Sequence, residues 1–326
     1  MASLLKSARL WTVAAVLAVA GSSASAQETY GIGSNPQGSL FFSIATAISK
    51  VMVSQTGLQF RTAPYGGSST YLPLINKGEL AFGMANGGET AFAHKGVELF
   101  DGRPHPNLRM VAVTISSGGT IAVPKDSPRK TIADLKGARM GVGYTSGRIF
   151  HYLVEAILHA NGLSQSKDVV GTPVPDFVAA INAFTAGRLD AAYIPLNAAA
   201  GKQAMATIRG GWRYLDFPAS PATRRLSDQI LPSSRPVPVK KEGYTGIETD
   251  PTSVLFVDFY LVTGAHVADD VVYRTAKTMY EKVKDLGEAF GPLKAMNAKE
   301  MAQPHPASFH PGAIKFYREV GIWQGS

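Results

Sequence analysis

Gly31-Ile32-Gly33-Ser34-Asn35-Pro36-Gln37-Gly38-Ser39, with Leu40, Ile44, Ala47, Ile48 and Val51 following at helical spacing, is the stretch on which the fold turns. Residues 29–33 read as a short strand, the Gly/Asn/Pro/Gln run as a loop, and residues 39–53 as an amphipathic helix. The same unit returns along the chain. Residues 58–63 read as a second strand, Tyr65-Gly66-Gly67-Ser68 as a turn, 69–76 as a short helix and 80–85 as a third strand. Farther on, 139–143 reads as strand, Tyr144-Thr145-Ser146-Gly147 as loop and 148–160 as helix. A strand near 168–171, a helix over 176–186 and a strand over 190–195 follow. Strands alternating with helices through short connections predict an α/β architecture, and two such series predict two lobes.

Two long extended stretches frame the second series. Residues 108–124 are extended with an interruption at Gly118-Gly119, and residues 253–262 form a long apolar strand. Such segments suit a chain that crosses from one lobe to the other and back, which makes a clamshell with a hinge. The expected division is a leader over 1–26, a first lobe over 27–115, a second over 116–257, and a return to the first over 258–326. Residues 217–250, rich in Pro, Ser and charge, read as surface loop, while 268–284 and 311–319 read as amphipathic helices.

The leader has the form of a secretory signal. Lys6 and Arg9 give it a positive start, residues 10–20 are almost wholly apolar, and Ala24-Ser25-Ala26 offers a small-x-small cut near Ala26. As a helix that apolar run spans about 16 Å, roughly half the hydrocarbon core of a bilayer, so it does not read as an anchor. Without Cys in the sequence there is no residue to lipidate at the cut, no disulfide and no thiolate metal site. A periplasmic protein without a lipid anchor is expected. Charged residues make up 17% of the 326-residue chain and hydrophobic ones 45%, a composition unlike that of disordered or nucleic-acid-binding proteins. The formal charge of +8 comes from basic residues scattered singly or in pairs, which excludes a nucleic-acid footprint and favours anionic ligands.

Three loops carry the chemistry. The runs 31–39, 65–70 and 143–148 each place Gly beside a hydroxyl residue where a helix begins. Gly lets backbone approach a ligand, Ser or Thr caps the helix or turns its hydroxyl outward, and the helix N-terminus attracts a carboxylate or phosphate. In open α/β sheets such loops lie at the carboxyl ends of strands, where ligands bind. The candidate ligand-binding residues are Gly33, Ser34, Asn35, Gln37 and Ser39, then Tyr65, Gly67, Ser68, Ser69 and Asn86, then Tyr144, Thr145, Ser146, Gly147, Arg148 and Asn197. Arg148 opens its helix where a guanidinium could take a carboxylate bidentately, and Tyr65, Tyr144 and Phe177 could supply apolar walls.

Catalytic and cofactor chemistry finds little support. The third Gly of a dinucleotide fingerprint is displaced to Gly38, and no Gly-x-Ser-x-Gly elbow occurs. Ser-x-x-Lys appears at Ser3, Ser127 and Ser164, once inside the leader, as chance would have it. His151, Glu155 and His159 share a helical stripe that reads as a solvated face, and His305 and His310 lack metal-ligand spacing. Asp258 and Glu89 are conceivable neighbours of a bound cation, with pairing elsewhere as the plainer role. Neither a catalytic residue, a metal nor a cofactor is expected, and the protein does not read as an enzyme.

Taken together these motifs resemble the TAXI solute-binding proteins of TRAP (tripartite ATP-independent periplasmic) transporters over nearly the whole mature chain. Gly31-Ile32-Gly33, Tyr65-Gly66-Gly67-Ser68 and the run 78–83 resemble the family's first lobe. The runs 134–143 and 145–147 resemble its second, and His310-Pro311-Gly312-Ala313-Ile314-Lys315-Phe316-Tyr317-Arg318-Glu319 is close to its terminal motif. The resemblance implies a class II periplasmic-binding-protein fold and a receptor that captures a small organic anion, such as a dicarboxylate, oxoacid or acidic amino acid. It would deliver this to an integral-membrane TRAP permease driven by an ion gradient. A ligand-sensing partner of a signalling protein is the alternative. Two departures fall in the implied pocket: Asn35 to Phe42 where the family often has Gly-Gly followed by Tyr-Tyr, and Arg148 where a small hydroxyl residue is commoner.

Overall fold

The structure, a computed structural model, describes residues 28–325; the expected leader and its cut near Ala26 lie outside the described residues. In chain order the elements begin β1 (Thr29–Ser34), α1 (Leu40–Thr56), β2 (Gln59–Pro64), α2 (Ser68–Lys77), β3 (Phe82–Asn86), α3 (Gly87–Lys95) and β4 (Leu108–Pro124). They continue β5 (Arg139–Gly143), α4 (Ile149–His159), β6 (Val170–Val174), α5 (Phe177–Thr185), β7 (Ala192–Pro195), α6 (Ala199–Thr207), β8 (Trp212–Tyr214) and α7 (Pro221–Ile230). The last are β9 (Arg235–Val239), β10 (Thr252–Gly264), α8 (Asp269–Glu281), α9 (Val283–Ala289) and α10 (Pro311–Glu319). The result is two α/β lobes in the class II periplasmic-binding-protein arrangement.

Strands β1, β2 and β3 pair in parallel, with β1 in the middle. Helix α1 starts where Ser39 Oγ accepts the Phe42 N–H at 3.0 Å, and it stops at Gly57, whose φ of 71° only glycine adopts cheaply. Its apolar stripe buries Ile44, Ile48 and Met52 against the sheet. In the other lobe β5 and β6 pair in parallel with α5 packed on them, and Asp176 caps α5 by accepting from Ala179 N at 2.9 Å.

Strands β4 and β10 run antiparallel across both lobes. The end of β10 lies between β3 and the start of β4, whereas the start of β10 pairs with β9 and the end of β4 with β7 and β8. Gly118 and Gly119 do not interrupt β4, contrary to the sequence expectation. A Cβ at Gly118 would stand 1.8 Å from Leu255 O on one neighbour, and one at Gly119 would stand 2.4 Å from Ile194 O on the other. The glycines let three strands close up where a side chain would hold them apart.

Residues 240–250 are the exposed turns expected, but 217–239 are not a surface loop. Ser220 caps α7 through the Thr223 N–H at 3.0 Å with Pro221 in the first turn, and Phe217 and Leu231 are fully buried. Pro236 and Pro238 sit in β9, an edge strand that pairs only with β10, where a missing N–H is harmless. The prolines and serines that suggested a loop are thus a capped helix start and an edge. Residues 268–284 form two helices rather than one, broken at Lys282 (φ −112°, ψ 28°). Helix α3 was also hidden, since Gly87-Gly88 opens it and Asn86 caps it through the Glu89 N–H at 2.8 Å. Among the described residues no helix is long and apolar enough to cross a membrane.

Candidate functional site

A cavity of about 40 Å³ lies between the lobes, where α1, α3, α4 and α5 all begin. One wall comes from the lobe of β1: Asn35, Ser39, Leu40, Phe41, Asn86 and, from β10, Val257 and Phe259. The facing wall is Ile149, Phe150, Leu153, Phe177, Tyr193, Pro195 and Gly118. The rings interlock within each wall. Phe41 meets Phe259 edge-on at 4.8 Å, and Phe150 stacks on Phe177 at 4.5 Å and stands 5.9 Å from Tyr193.

The polar atoms of the first wall come from the loop after β1 and from the last residue of β3. Asn35 is 4% exposed, and its buried Oδ1 has no hydrogen-bond partner. Ser39 Oγ is engaged as acceptor by Phe42 N, which leaves its own proton to give. Asn86 Oδ1 is likewise held by Glu89 N, so its amide NH₂ is the group left over. Among the described residues neither Lys nor Arg lines the cavity.

Above the cavity the two lobes meet backbone to backbone. Ser69 Oγ donates to Ser146 O at 3.1 Å and accepts the Arg148 N–H at 3.2 Å. A Cβ on Gly67 would stand 2.4 Å from both Gly147 Cα and Ser146 O, and one on Gly66 would stand 2.3 Å from Ser146 Cβ. At the far rim Ala200 N donates to Gly38 O at 3.2 Å. Outside this seam, Arg148 grips Asp101 with two N–H···O bonds of 3.1 and 3.3 Å, and the pair is open to solvent. The Arg148 guanidinium holds the Asp101 carboxyl below its ordinary range. Tyr152 OH donates to Glu98 Oε2 at 3.0 Å alongside.

The sixteen candidates therefore separate. Asn35, Ser39 and Asn86 line the cavity. Gly67, Ser69, Ser146, Gly147 and Arg148 make the seam, with the Arg148 side chain directed to Asp101 and absent from the cavity lining. Ser68 is buried and donates to Glu89. Gly33 makes room for the Tyr71 ring, on which Tyr65 also packs at 5.5 Å. Ser34 is buried with its hydroxyl on Asn35 O, and Tyr144 is buried at φ 40° behind Phe150. Gln37 and Thr145 face solvent, and Asn197, at φ 61°, lies off the lining.

Glu89 is wholly buried beside Ser68, and burial raises its carboxyl to about 8. It is thus a neutral acid at pH 7, with Oε1 unpartnered. Asp258 pairs with Arg235 at 2.8 Å. Glu155 accepts from Gln165 N and Nε2, and among the described residues no group of acidic or His side chains could hold a metal ion. Among the apolar wall residues only Phe177 was anticipated from sequence; the others follow helix starts or sit on β7 and β10.

The profile of the NMT1-like family matches residues 32–321, almost the whole described chain. Among solved structures, one titled as a periplasmic transporter is 17% identical, with 91% of this chain and 94% of that one covered at a TM-score of 0.56. PhnD1 of Prochlorococcus marinus in complex with methylphosphonate is 13% identical over 91% of this chain and 99% of its own, TM-score 0.51. The ligand-binding component of an ABC-type import system from Staphylococcus aureus, with zinc bound, is 11% identical over 92% and 94%, TM-score 0.50. At such identities the likeness is one of fold.

Proposed function

We propose, from the premise that the chain belongs to the NMT1-like family, that it is a periplasmic solute-binding receptor. It would capture a small organic anion between its lobes and hand it to a TRAP permease. Residues 27–115 and 258–326 are taken as one lobe and 116–257 as the other, with a cleaved leader before them. The observation that carries the reading is the cavity between the lobes, sealed by contacts that only a closed molecule makes. Four helix N-termini open on it and favour negative charge. A solute that touches both walls stabilises the closed form over the open one, which is what a receptor requires.

The TRAP assignment is supported by the order of sequence motifs, ending in the 310–319 stretch. The likeness to an ABC-type component supports the fold alone. Of the sixteen candidate residues, we assign Asn35, Ser39 and Asn86 to ligand contact and the Gly67/Ser69/Ser146/Gly147 group to closure. Small-angle scattering of the mature protein with and without a bound solute tests the receptor reading: compaction is expected, and an unchanged radius with saturating solute refutes it. Uptake into vesicles holding the permease and the receptor separates the transport classes. Uptake that follows the ion gradient without ATP is expected, and uptake that needs ATP instead overturns the TRAP assignment.

A further inference from the structure

We infer that the solute is a short monocarboxylate with a hydrocarbon body, not a dicarboxylate or an acidic amino acid. This rests on the receptor reading above and narrows it. The head group is met by Ser39 and Asn86, each left with donor capacity once its local bonds are made, while Asn35 presents an unpartnered acceptor, Oδ1; all three lie at the cavity surface. Asn86 cannot swap ends without losing the cap on α3, so its NH₂ is the end free for a ligand. Two neutral donors, at the starts of α1 and α3, suit one carboxylate, which accepts at both oxygens.

Everything opposite is hydrocarbon or ring: Ile149, Phe150, Leu153 and Phe177, with Tyr193 contributing a neutral phenol. A second carboxylate there would be taken from water with neither Arg nor Lys to meet it, and the pocket offers no carboxylate to an ammonium group. Glu89, three residues along from Asn86, is held protonated by burial and takes a hydrogen bond from Ser68. Arg148, the cation expected from sequence, is held by Asp101 outside the lining. The small volume of the closed cavity sets the length: at most a few carbon atoms beyond the head group.

The experiment is calorimetric titration of the mature protein with propionate, isobutyrate, isovalerate, succinate, 2-oxoglutarate and glutamate, together with mass spectrometry of the small molecules released on denaturation. Affinity is expected to rise about fourfold per methyl or methylene group buried until the cavity is full. The dicarboxylates and glutamate are expected to bind at least about a hundredfold more weakly. Asn86→Asp, which keeps the oxygen that caps α3 and removes the amide donor, is expected to weaken the monocarboxylate about tenfold or more. Tighter binding of a dicarboxylate, or its release from denatured protein, overturns the proposed class and leaves the receptor reading standing. If nothing binds, nothing is released and the scattering profile is indifferent to every solute, the receptor reading itself falls and the class with it.

Discussion

Gly67→Ala is the sharpest probe of lobe closure. At φ 174° and ψ 166° the residue is in extended backbone that alanine adopts without strain, so the separated lobes are unaffected. In the closed form the added Cβ stands 2.4 Å from Gly147 Cα and from Ser146 O, where carbon contacts need about 3.5–4.0 Å. Both obstacles are main chain, so the seam has to widen by a little over 1 Å. The Ser69–Ser146 and Arg148–Ser69 hydrogen bonds, at 3.1 and 3.2 Å, then exceed bonding distance. Losing two bonds worth about 0.5–1.5 kcal/mol each raises the closed form by about 1–3 kcal/mol. Ligand affinity should fall by about 5- to 150-fold, because only the closed form carries both walls. Calorimetry gives the affinity and small-angle scattering the compaction. Gly291→Ala, with nothing within 4 Å of its Cβ, is the control. A Gly67→Ala protein that binds within twofold of the parent and compacts equally would show that the seam does not form in the bound state.

Three further outcomes follow from the geometry. Glu89→Gln should flatten the pH dependence of stability. The buried carboxyl titrates at about 8 in the fold against about 4.5 when unfolded, so the folded state holds the extra proton and the parent loses stability as pH rises from about 4.5 to about 8. Thermal midpoints of the two proteins at pH 5, 7 and 8.5 check this, and parallel curves would mean that Glu89 is already ionised in the fold. Arg148→Ala should alter ligand affinity by no more than about fivefold, since its partner is a solvent-open carboxylate outside the cavity; a loss above about a hundredfold would place the guanidinium on the ligand. Ser39→Ala should cost about 1 kcal/mol in chemical denaturation through the α1 cap, and also weaken the monocarboxylate. Loss of stability with unaltered affinity would reduce Ser39 to a cap.

What sequence could yield here divides by range of interaction. Local rules recover β1, α1 and α10, because capping residues and 3.6-residue spacing act within a few positions: Ser39 at one helix start and Pro311 at another are visible by inspection. The cavity's polar residues were legible for the same reason, as Asn35, Ser39 and Asn86 stand beside helix starts. Its apolar walls were not. Phe150 and Leu153 sit three apart on α4 as core residues do, and Val257 and Phe259 alternate on β10 like any buried strand. Only the meeting of the lobes turns them toward one space. Arg148 shows the opposite failure: its position at a helix start was visible, but its partner Asp101 is 47 residues away in the chain and on the other lobe. Residues 217–239 misled through composition, since proline serves a helix start and an edge strand as readily as a loop.

The pairing of β4 with β10 bears on how the molecule moves. Their hydrogen bonding runs from Gly264↔Leu108 to Leu255↔Gly119, so the connection between lobes is a two-stranded ribbon and not a pair of slack linkers. A paired ribbon resists stretching and sliding, because either breaks a ladder of bonds at once, yet it winds and unwinds at little cost. The register shifts at Asp258/Tyr260 and Leu261/Val262 concentrate twist at one level, as an axle would. Opening is then a torsion with one track and one restoring force. Inserting or deleting a residue at that level would retune the stiffness and, because Phe259 of the cavity wall lies there, reshape the pocket at the same stroke.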